Sequence, residues 1–146
     1  MIVAVDKTNL HQAAVIHSAA WKEAHRSFCT PDFVETHTPE RQQGYIQNKI
    51  NGGSTFFMLT EDEAVGIVLV REDLIEDLYI LPQKQRMGYG TRLLQFAVGQ
   101  CKGTPRLWIL ENNTRAKRLY HKMGFRETGR MKANPGGLDE IELAYG

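Results

Sequence analysis

The sequence predicts a single α/β domain built on a mixed β-sheet with helices on both faces. Three observations support this prediction. The chain has 146 residues, of which 42% are hydrophobic and 24% are charged, as expected for one globular domain. No repeat, low-complexity tract or linker divides residues 1–146 into separate units. Strand-like and helix-like patterns follow one another in the order βααβββαβαββ.

The N-terminal third predicts one strand followed by two helices. Residues 1–5 form a short apolar run that is typical of a strand. Between residues 10 and 28, apolar positions recur at helical spacing and indicate a helix. A second helix begins where Thr38 precedes Pro39, because a threonine cap followed by proline favours the first helical turn. This helix runs to the glycine pair 52–53.

Three strands and a helix are predicted for the middle of the chain. Residues 55–60 and 64–71 form a hairpin closed by the acidic turn 61–63, and residues 74–81 form the next strand. The apolar face of residues 93–101 then indicates a helix that packs on this sheet.

The C-terminal third predicts a strand, a helix and a final hairpin. Residues 106–110 are apolar enough for the middle of a sheet. Residues 113–123 keep their apolar side chains on one helical face, and the glycine that follows them ends the helix. Residues 125–132 and 138–145 are expected to pair around the turn at 134–137.

Charge and composition argue against several classes of function. The formal net charge of +1 gives no reason to expect nucleic acid, and the basic residues between 115 and 132 lack the aromatic residues that stack on bases. No apolar run approaches the ~20 residues of a membrane-spanning helix, and residues 1–7 show no export signal. Cys29 and Cys101 stand alone, and no histidine has metal-ligand spacing. We therefore expect a cytoplasmic protein with no metal, no nucleic acid and no membrane partner.

The turn between residues 81 and 94 carries the first functional signal. Gly88 and Gly90 lie where a strand leads into a helix, and basic side chains surround them, namely Lys84, Arg86 and Arg92. Glycine allows close backbone approach, and the free N–H groups of a helix N-terminus attract anions. The turn therefore predicts an anion site, although a solvated basic loop explains the same residues equally well.

Two familiar phosphate-binding loops do not fit this turn. A P-loop needs a lysine before its Ser or Thr, whereas Gly90 precedes Thr91 directly. A dinucleotide fingerprint needs a third glycine at the position that Leu93 occupies. The anion site, if present, follows another pattern.

Two motifs instead resemble those of the GNAT N-acetyltransferase superfamily. The turn matches the family's pyrophosphate motif as Gln85-x-x-Gly88-x-Gly90. The second motif is matched by Asn113-x-x-Ala116-x-x-Leu119-Tyr120-x-x-x-Gly124-Phe125. Both motifs lie on the expected elements and in the expected order, and the resemblance covers essentially the whole chain.

The resemblance implies that the chain binds acetyl-CoA as a co-substrate. The backbone of the turn would cradle the diphosphate, with Gln85 at the entrance; the turn residues are Arg86, Met87, Gly88, Tyr89, Gly90 and Thr91. The strand before the turn would pair with pantetheine through the backbone of Leu78, Tyr79 and Ile80. On the other side of the CoA arm would lie Asn113 and Ala116.

Tyr120 resembles the family's proton donor to the departing CoA sulfur. A phenol with a reference pKa of ~10 stays protonated at neutral pH and donates as thiolate charge develops. Tyr120 also lies one turn after Ala116 on the apolar helical face, so core packing explains it too. Within the second motif, we favour the acid role.

Glu76 is the candidate base that takes a proton from the acceptor amine, directly or through water. It lies mid-strand between apolar neighbours, where an unpaired charge is costly. The local pattern Glu-Asp-Leu-aromatic is similar to that of polyamine-type N-acetyltransferases, whose glutamate lies at the acceptor amine. A strand-edge carboxylate that reaches solvent is the alternative. Strand alternation places Glu76 and Asp77 on opposite faces, and the Ile80 N–H is the expected oxyanion donor.

The first helix normally supplies the acceptor wall in this family. Trp21, His25 and Phe28 lie on roughly one face of it and are expected to line that wall. Core packing is an equally good explanation for Trp21 and Phe28. His17 falls in the apolar stripe and is expected to be a packed histidine with satisfied polar atoms.

The sequence therefore predicts an enzyme that moves acetyl from acetyl-CoA to a small-molecule primary amine by direct attack in a ternary complex. Three alternatives stay open: a non-catalytic CoA-binding sensor, the same chemistry on peptide or protein amines, and an acetyl-cysteine relay. The relay is disfavoured because neither Cys29 nor Cys101 lies in an evident activating pocket. The sequence is compatible with a homodimer.

Overall fold

The computed structural model describes residues 1–27, 29–134 and 139–146. The strands are β1 (Ile2–Ala4), β2 (Thr55–Thr60), β3 (Ala64–Arg71), β4 (Leu74–Ile80), β5 (Arg106–Leu110), β6 (Phe125–Lys132) and β7 (Glu140–Tyr145). The helices are α1 (Leu10–His25), α2 (Pro31–Glu35), α3 (Pro39–Asn51), α4 (Tyr89–Gln100) and α5 (Thr114–Lys122), and a 3₁₀ turn spans Pro82–Lys84. Within these ranges, no helix combines the length and apolarity needed to cross a bilayer.

The strands form one seven-stranded sheet in the order β1-β2-β3-β4-β5-β7-β6. Neighbouring strands are antiparallel except β4 and β5, which run parallel. Helices α1 and α3 pack on one side of the sheet, over β2, β3 and β4, and α4 and α5 pack on the other side. We call these the α1/α3 side and the α4/α5 side. The predicted mixed sheet with helices on both faces is confirmed.

Each side of the sheet has its own apolar core. On the α1/α3 side, Ile46 of α3 and Phe56 of β2 are 0% exposed. On the α4/α5 side, Leu93 of α4 and Phe125 of β6 are equally inaccessible. Burying side chains of this size contributes roughly 1.5–3 kcal/mol each. The two cores therefore hold the central strands β3 and β4 rigidly between the helices.

Most predicted elements coincide with the observed ones. Agreement is complete for the strands at 55–60, 64–71, 106–110 and 125–132, because turn residues bound each of these segments. Thr38 caps α3 through Oγ1, which accepts from Arg41 N at 3.2 Å. The first predicted helix ends at His25 rather than at residue 28. Residue 28 and most of the final hairpin turn, 135–138, lie outside the described residues.

The short helix α2 was missed by the sequence analysis. It begins as α3 does: Pro31 occupies the first turn, and Thr30 Oγ1 accepts from Phe33 N at 3.4 Å. The same cap-and-proline signal was therefore present at both sites. With only five residues, α2 has too few apolar positions to show helical periodicity.

A bulge in β4 changes which side chains share a face. Asp77 has a positive φ of 51°, and the β3–β4 register shifts between Ile67 and Leu69. Glu76 pairs with Leu69, which is buried on the α1/α3 side, so Glu76 points to that side. Asp77 accepts a hydrogen bond from Tyr45 of α3 and points there as well. The prediction that Glu76 and Asp77 face opposite ways is wrong, because the extra residue of the bulge interrupts the alternation.

Strands β4 and β5 separate soon after they meet. Across these two strands, which the structure describes in full, Leu74 and Arg106 are the one pair of Cα partners. Just before it, the Arg106 N–H donates to the Asp73 carbonyl at 2.8 Å. Beyond this pair the strands diverge, so the β5-facing edge of residues 78–80 lacks a neighbouring strand. An exposed strand edge of this kind accepts an extended ligand.

Candidate active site

A cleft of about 510 Å³ opens where β4 and β5 diverge. It lies between the end of β4, the turn that leads into α4, and α5. Most of the predicted cofactor residues line it together with Tyr120: Leu78, Tyr79, Ile80, Gln85, Arg86, Gly88, Tyr89, Gly90, Thr91, Asn113 and Ala116. The two motifs, which are distant in the sequence, therefore meet at one cavity.

Some predicted site residues do not line this cleft. Met87 is 59% exposed to solvent. Glu76, Trp21 and His25 are also absent from the described lining, and Phe28 lies outside the described residues. The lining also includes Lys84 and Leu119, which the sequence analysis named in the turn and in the second motif, and it adds three residues that were not assigned to the site: Ala20, Ala24 and Arg115. The two alanines lie one turn apart on α1, and this small-residue spacing was the available signal.

The turn before α4 presents backbone N–H groups that no side chain caps. Gly88 is the N-cap residue of α4 and has a φ of +84°. Arg86 also has a positive φ, 65°, and turns with alternating backbone handedness form concave anion sites. Gly90 differs, since a Cβ added there would meet Ile80 Cγ1 at an ordinary 3.8 Å. Gly88 is therefore required by its backbone conformation, whereas Gly90 keeps the cleft wall free of side-chain atoms.

The basic side chains around the turn are partly neutralised by the acidic turn between β2 and β3. Lys84 Nζ lies 3.3 Å from Glu63 Oε1, and Arg92 forms an ion pair with Glu61. The hydrogen bond from Arg92 lowers the pKa of Glu61. Arg86, which lines the cleft, forms no ion pair with another described residue. Its guanidinium is available to an anionic ligand.

Tyr120 occupies the α5 wall of the cleft. The side chain is half-buried, and its ring meets that of Phe125 edge-on with 5.8 Å between centroids. Burial raises the pKa of Tyr120 to about 12. The phenol is therefore protonated at neutral pH, and it packs against the α4/α5 core while it faces the cavity. Both roles predicted for this residue are compatible with its position.

A hydrogen-bonded network anchors Asp77 on the α1/α3 side. Tyr45 Oη donates to Asp77 Oδ2 at 2.7 Å, and His17 Nε2 lies 3.4 Å from the same oxygen. Gln42 Nε2 lies 2.8 Å from His17 Nδ1. Because an amide nitrogen can only donate, Nδ1 accepts and Nε2 carries the proton that faces Asp77. His17 is 3% exposed, which confirms the prediction of a packed, satisfied histidine.

The two carboxylates of β4 differ in how they are held. Asp77 is fixed by its partners, whereas Glu76 is half-buried and makes no hydrogen bond or ion pair within the described part of the chain. Burial and then the charge of Asp77 raise the pKa of Tyr45, and the charge of Glu76 adds to this effect. The α1/α3 side of β4 is therefore a region of negative potential with one unengaged carboxylate.

Trp21 and His25 belong to an aromatic stack between α1 and α2. The Trp21 ring lies between His25, at 3.9 Å between centroids, and His37, at 3.4 Å. Phe33 meets Trp21 edge-on at 5.9 Å. Burial lowers the pKa values of both His25 and His37. Sequence reasoning missed His37 and Phe33 because it did not predict α2.

Metal ligation finds no support in the described ranges. Across residues 1–27, 29–134 and 139–146, no three His, Cys, Asp or Glu side chains are grouped so that they could hold a metal ion. The expectation of a metal-free site remains a prediction.

Comparison with known proteins identifies the family to which the chain belongs. The family model described as "Acetyltransferase (GNAT) family" matches residues 15–125. The chain belongs to this family, which confirms the resemblance that the two motifs indicated.

Individual relatives agree with this assignment. The peptidyl-lysine N-acetyltransferase YjaB of Salmonella typhimurium is 34% identical over 77 residues, which span 53% of this chain and 52% of that protein. The probable N-acetyltransferase Rv2775 of Mycobacterium tuberculosis is 25% identical over 131 residues, 82% of this chain and 75% of that protein. The crystal structure of the PaiA N-acetyltransferase of Thermoplasma acidophilum in complex with coenzyme A superposes with a TM-score of 0.73. It is 18% identical and covers 97% of this chain and 96% of that one, so it shows the shared fold.

Proposed function

We propose that the protein transfers the acetyl group of acetyl-CoA to a primary amine by direct attack in a ternary complex. The observation that carries this proposal is the meeting of both family motifs at the cleft between β4 and β5. Family membership supports acetyl transfer, and the PaiA relative was crystallised with coenzyme A. An amine acceptor is consistent with the names of both curated relatives.

Successive parts of the cleft suit successive parts of the CoA molecule. The diphosphate would bind at the uncapped N-terminus of α4, where the turn N–H groups and the helix dipole favour anions. The extended pantetheine arm would lie along the unpaired edge of residues 78–80, opposite Asn113 and Ala116. Gln85 Nε2 donates to the Ile80 carbonyl at 3.3 Å, which fixes the turn relative to the end of β4.

The chemical step needs a neutral nucleophile. A lysine-like amine has a pKa of ~10.4, so presenting it deprotonated at pH 7 costs about 4–5 kcal/mol. Glu76, directly or through water, would accept that proton, because it is an unengaged carboxylate in a negative region. The neutral nitrogen then attacks the thioester carbon, a C–N bond forms, and the Ile80 N–H is the proposed donor to the oxyanion.

Collapse of the tetrahedral intermediate breaks the C–S bond. Tyr120 would give its phenolic proton to the departing sulfur and recover one from solvent. A pKa of about 12 keeps this proton in place until thiolate charge develops. The amine proton lost after attack leaves through the same carboxylate or solvent, so charge and atoms balance.

A thiol-release assay with a panel of amines tests the proposed function. The purified protein is incubated with acetyl-CoA and with polyamines, lysine peptides, peptide N-termini or amino sugars, and free CoA is measured by its reaction with a thiol reagent. We expect release that depends on a primary amine. Binding of CoA without release for any amine would instead favour a CoA-binding sensor, and reaction with hydroxyl acceptors alone would contradict amine transfer.

A further inference from the structure

An exposed basic surface lies on the α1/α3 side of β5, β7 and β6. Leu107 and Ile109 of β5 are buried on the α4/α5 side, so the alternate residues Arg106 and Trp108 point to the α1/α3 side. Trp108 pairs with Glu142 of β7 across the sheet. We call this surface the basic floor and define it by six residues: Arg106, Trp108, Thr128, Arg130, Lys132 and Glu142. The Arg106 and Arg130 side chains are 40% and 69% exposed there.

A buried carboxylate holds the two arginines of the basic floor. The Glu142 side chain is only 3% exposed. Its Oε2 accepts from Arg106 Nη1 at 3.3 Å and from Arg130 Nη1 at 3.4 Å, and its Oε1 accepts from Thr128 Oγ1 at 2.8 Å. Long cationic side chains lose rotamer freedom when they bind a ligand, and prior restraint reduces that loss. Glu142 therefore pre-organises the guanidinium groups toward solvent.

Trp108 supports the other side of the same surface. Lys132 Nζ lies 4.1 Å from the Trp108 ring centroid, and Arg130 Cζ lies 5.9 Å from it, both within cation–π range. In the described parts of these strands, three basic side chains (Arg106, Arg130, Lys132) and two acidic ones (Glu140, Glu142) share this side. The guanidinium of Arg126 is not counted, because it donates to the carbonyls of His121 and Phe125 at the end of α5. Three minus two leaves a net charge of +1. The surface attracts anions.

The basic floor adjoins the candidate base. Leu74 and Arg106 are parallel partners, so Glu76 and Trp108, two residues further along each strand, point to the same side of the sheet. The strands start about 4.8 Å apart and then diverge. An amine nitrogen that reaches Glu76 therefore brings the groups attached to it over the basic floor.

We infer that the basic floor binds an acidic segment of a peptide whose lysine is the acetyl acceptor. This inference rests on the proposed function and specifies its acceptor. The lysine ammonium group meets the negative region formed by Glu76 and Asp77, and the carboxylates that flank it meet the cations of the floor. A polyamine would be attracted to the negative region at Glu76 and Asp77 but repelled by the cations of the basic floor. The acceptor class therefore differs from the one that the local Glu-Asp-Leu-aromatic pattern indicated.

Peptide binding tests the inference without requiring turnover. Three labelled probes are compared by fluorescence anisotropy in the presence of CoA: a lysine peptide with flanking Asp and Glu, the same peptide with Asn and Gln, and a uridine oligonucleotide. We expect the acidic peptide to bind on the order of tenfold more tightly than the neutral one, with the preference declining as salt rises. Unlabelled spermidine should compete poorly.

Two double variants identify the surface. Arg130→Gln with Lys132→Gln should reduce the ratio of acidic to neutral peptide affinity to near one. Lys7→Gln with Lys122→Gln removes the same charge from exposed positions elsewhere and should keep the ratio. Circular dichroism and CoA affinity verify that both variants are folded.

The outcomes separate this inference from the proposed function. Three results would overturn the acidic-peptide assignment: equal binding of both peptides, tighter binding of the oligonucleotide, or the same affinity ratio in both double variants. If other amines still released thiol from acetyl-CoA, the proposed function would remain intact. A preference for the acidic peptide without thiol release from any amine would support the surface and reject acetyl transfer.

Discussion

The candidate site has a cofactor half, which is the cleft around the 85–91 turn and α5, and an acceptor half around Glu76 and Asp77, and the two are built differently. The cofactor half is formed mainly by two short segments of the chain, within residues 78–91 and 113–120, together with two alanines of α1. The acceptor half is made of side chains brought together from α1, α3 and β4, such as His17 and Asp77, which are 60 residues apart in the sequence. The two halves should therefore fail separately.

The largest expected effect concerns the proton donor on the cofactor half. Tyr120→Phe keeps the ring that packs near Phe125 and removes only the O–H. General-acid catalysis typically contributes ~10²–10⁴-fold, so turnover should fall within that range while CoA affinity and folding stay unchanged. Steady-state rates measure this, with Tyr145→Phe as a control for loss of an exposed tyrosine hydroxyl. If Tyr120→Phe turns over at the wild-type rate while the chemical step is rate-limiting, Tyr120 is a packing residue and not the proton donor.

A smaller effect is expected from the base on the acceptor half. Glu76→Gln keeps the side-chain shape and loses proton acceptance, so turnover at pH 7 should fall by about 10²-fold, the lower end for general-base catalysis. The defect should shrink toward alkaline pH as the amine deprotonates unaided. The Tyr120→Phe defect should not shrink in this way, because protonation of the leaving group gains nothing from a neutral amine. Turnover of both variants is measured from neutral to alkaline pH. If the two rate profiles run parallel, Glu76 does not act as the base.

The network on the acceptor half should contribute to stability. Tyr45→Phe removes the 2.7 Å hydrogen bond to Asp77, and loss of a hydrogen bond to a charged group lowers the free energy of unfolding by about 1.5–3 kcal/mol. Urea unfolding measures this, with Tyr145→Phe as the control that changes little. Affinity for CoA should be retained, since Tyr45 does not line the described cleft. A loss of CoA affinity would show that the two halves are coupled.

The smallest effect is a pH dependence of stability in the aromatic stack. Burial lowers the pKa of His37 below its reference of 6.5, so the unfolded chain binds a proton at a higher pH than the folded chain does. The stability that neutral His37 contributes is therefore complete above about pH 6.5 and is lost as pH falls below that value. Urea midpoints from pH 7.5 to 5 should decline more steeply for wild type than for His37→Phe. Parallel curves for the two proteins would contradict a neutral, buried His37.

The cofactor half could be predicted from the sequence because its signals are local. Gly88 must adopt a positive φ, and the helix that follows it is recognisable from its apolar face, so the residue types and their spacing carry the structure. The resemblance then supplied what the spacing alone left open, since a solvated loop fitted the same turn.

The acceptor half could not be predicted in the same way. The β4 bulge at Asp77 depends on pairing with β3, and no residue in the strand marks it, so Glu76 and Asp77 were assigned to opposite faces. The basic floor depends on Glu142 of β7 meeting Arg106 of β5 and Arg130 of β6. In the sequence these three charged residues are far apart, and nothing local indicates that they pair. Only the folded sheet brings them together on one surface.

The central claim is that the glycine-bearing turn and α5 form an acetyl-CoA site, and calorimetry with two matched variants tests it most directly. Gly90→Val adds a side chain to the cleft wall, where the backbone has no positive φ and an added Cβ meets no atom closer than 3.8 Å. Gly99→Val makes the same substitution in the same helix, where nothing lies within 4 Å. We predict that wild type and Gly99→Val bind acetyl-CoA alike and that Gly90→Val, while folded, binds at least about 10²-fold more weakly, since close backbone approach is lost. Unchanged affinity in a folded Gly90→Val protein, or no binding by wild type, would contradict the account.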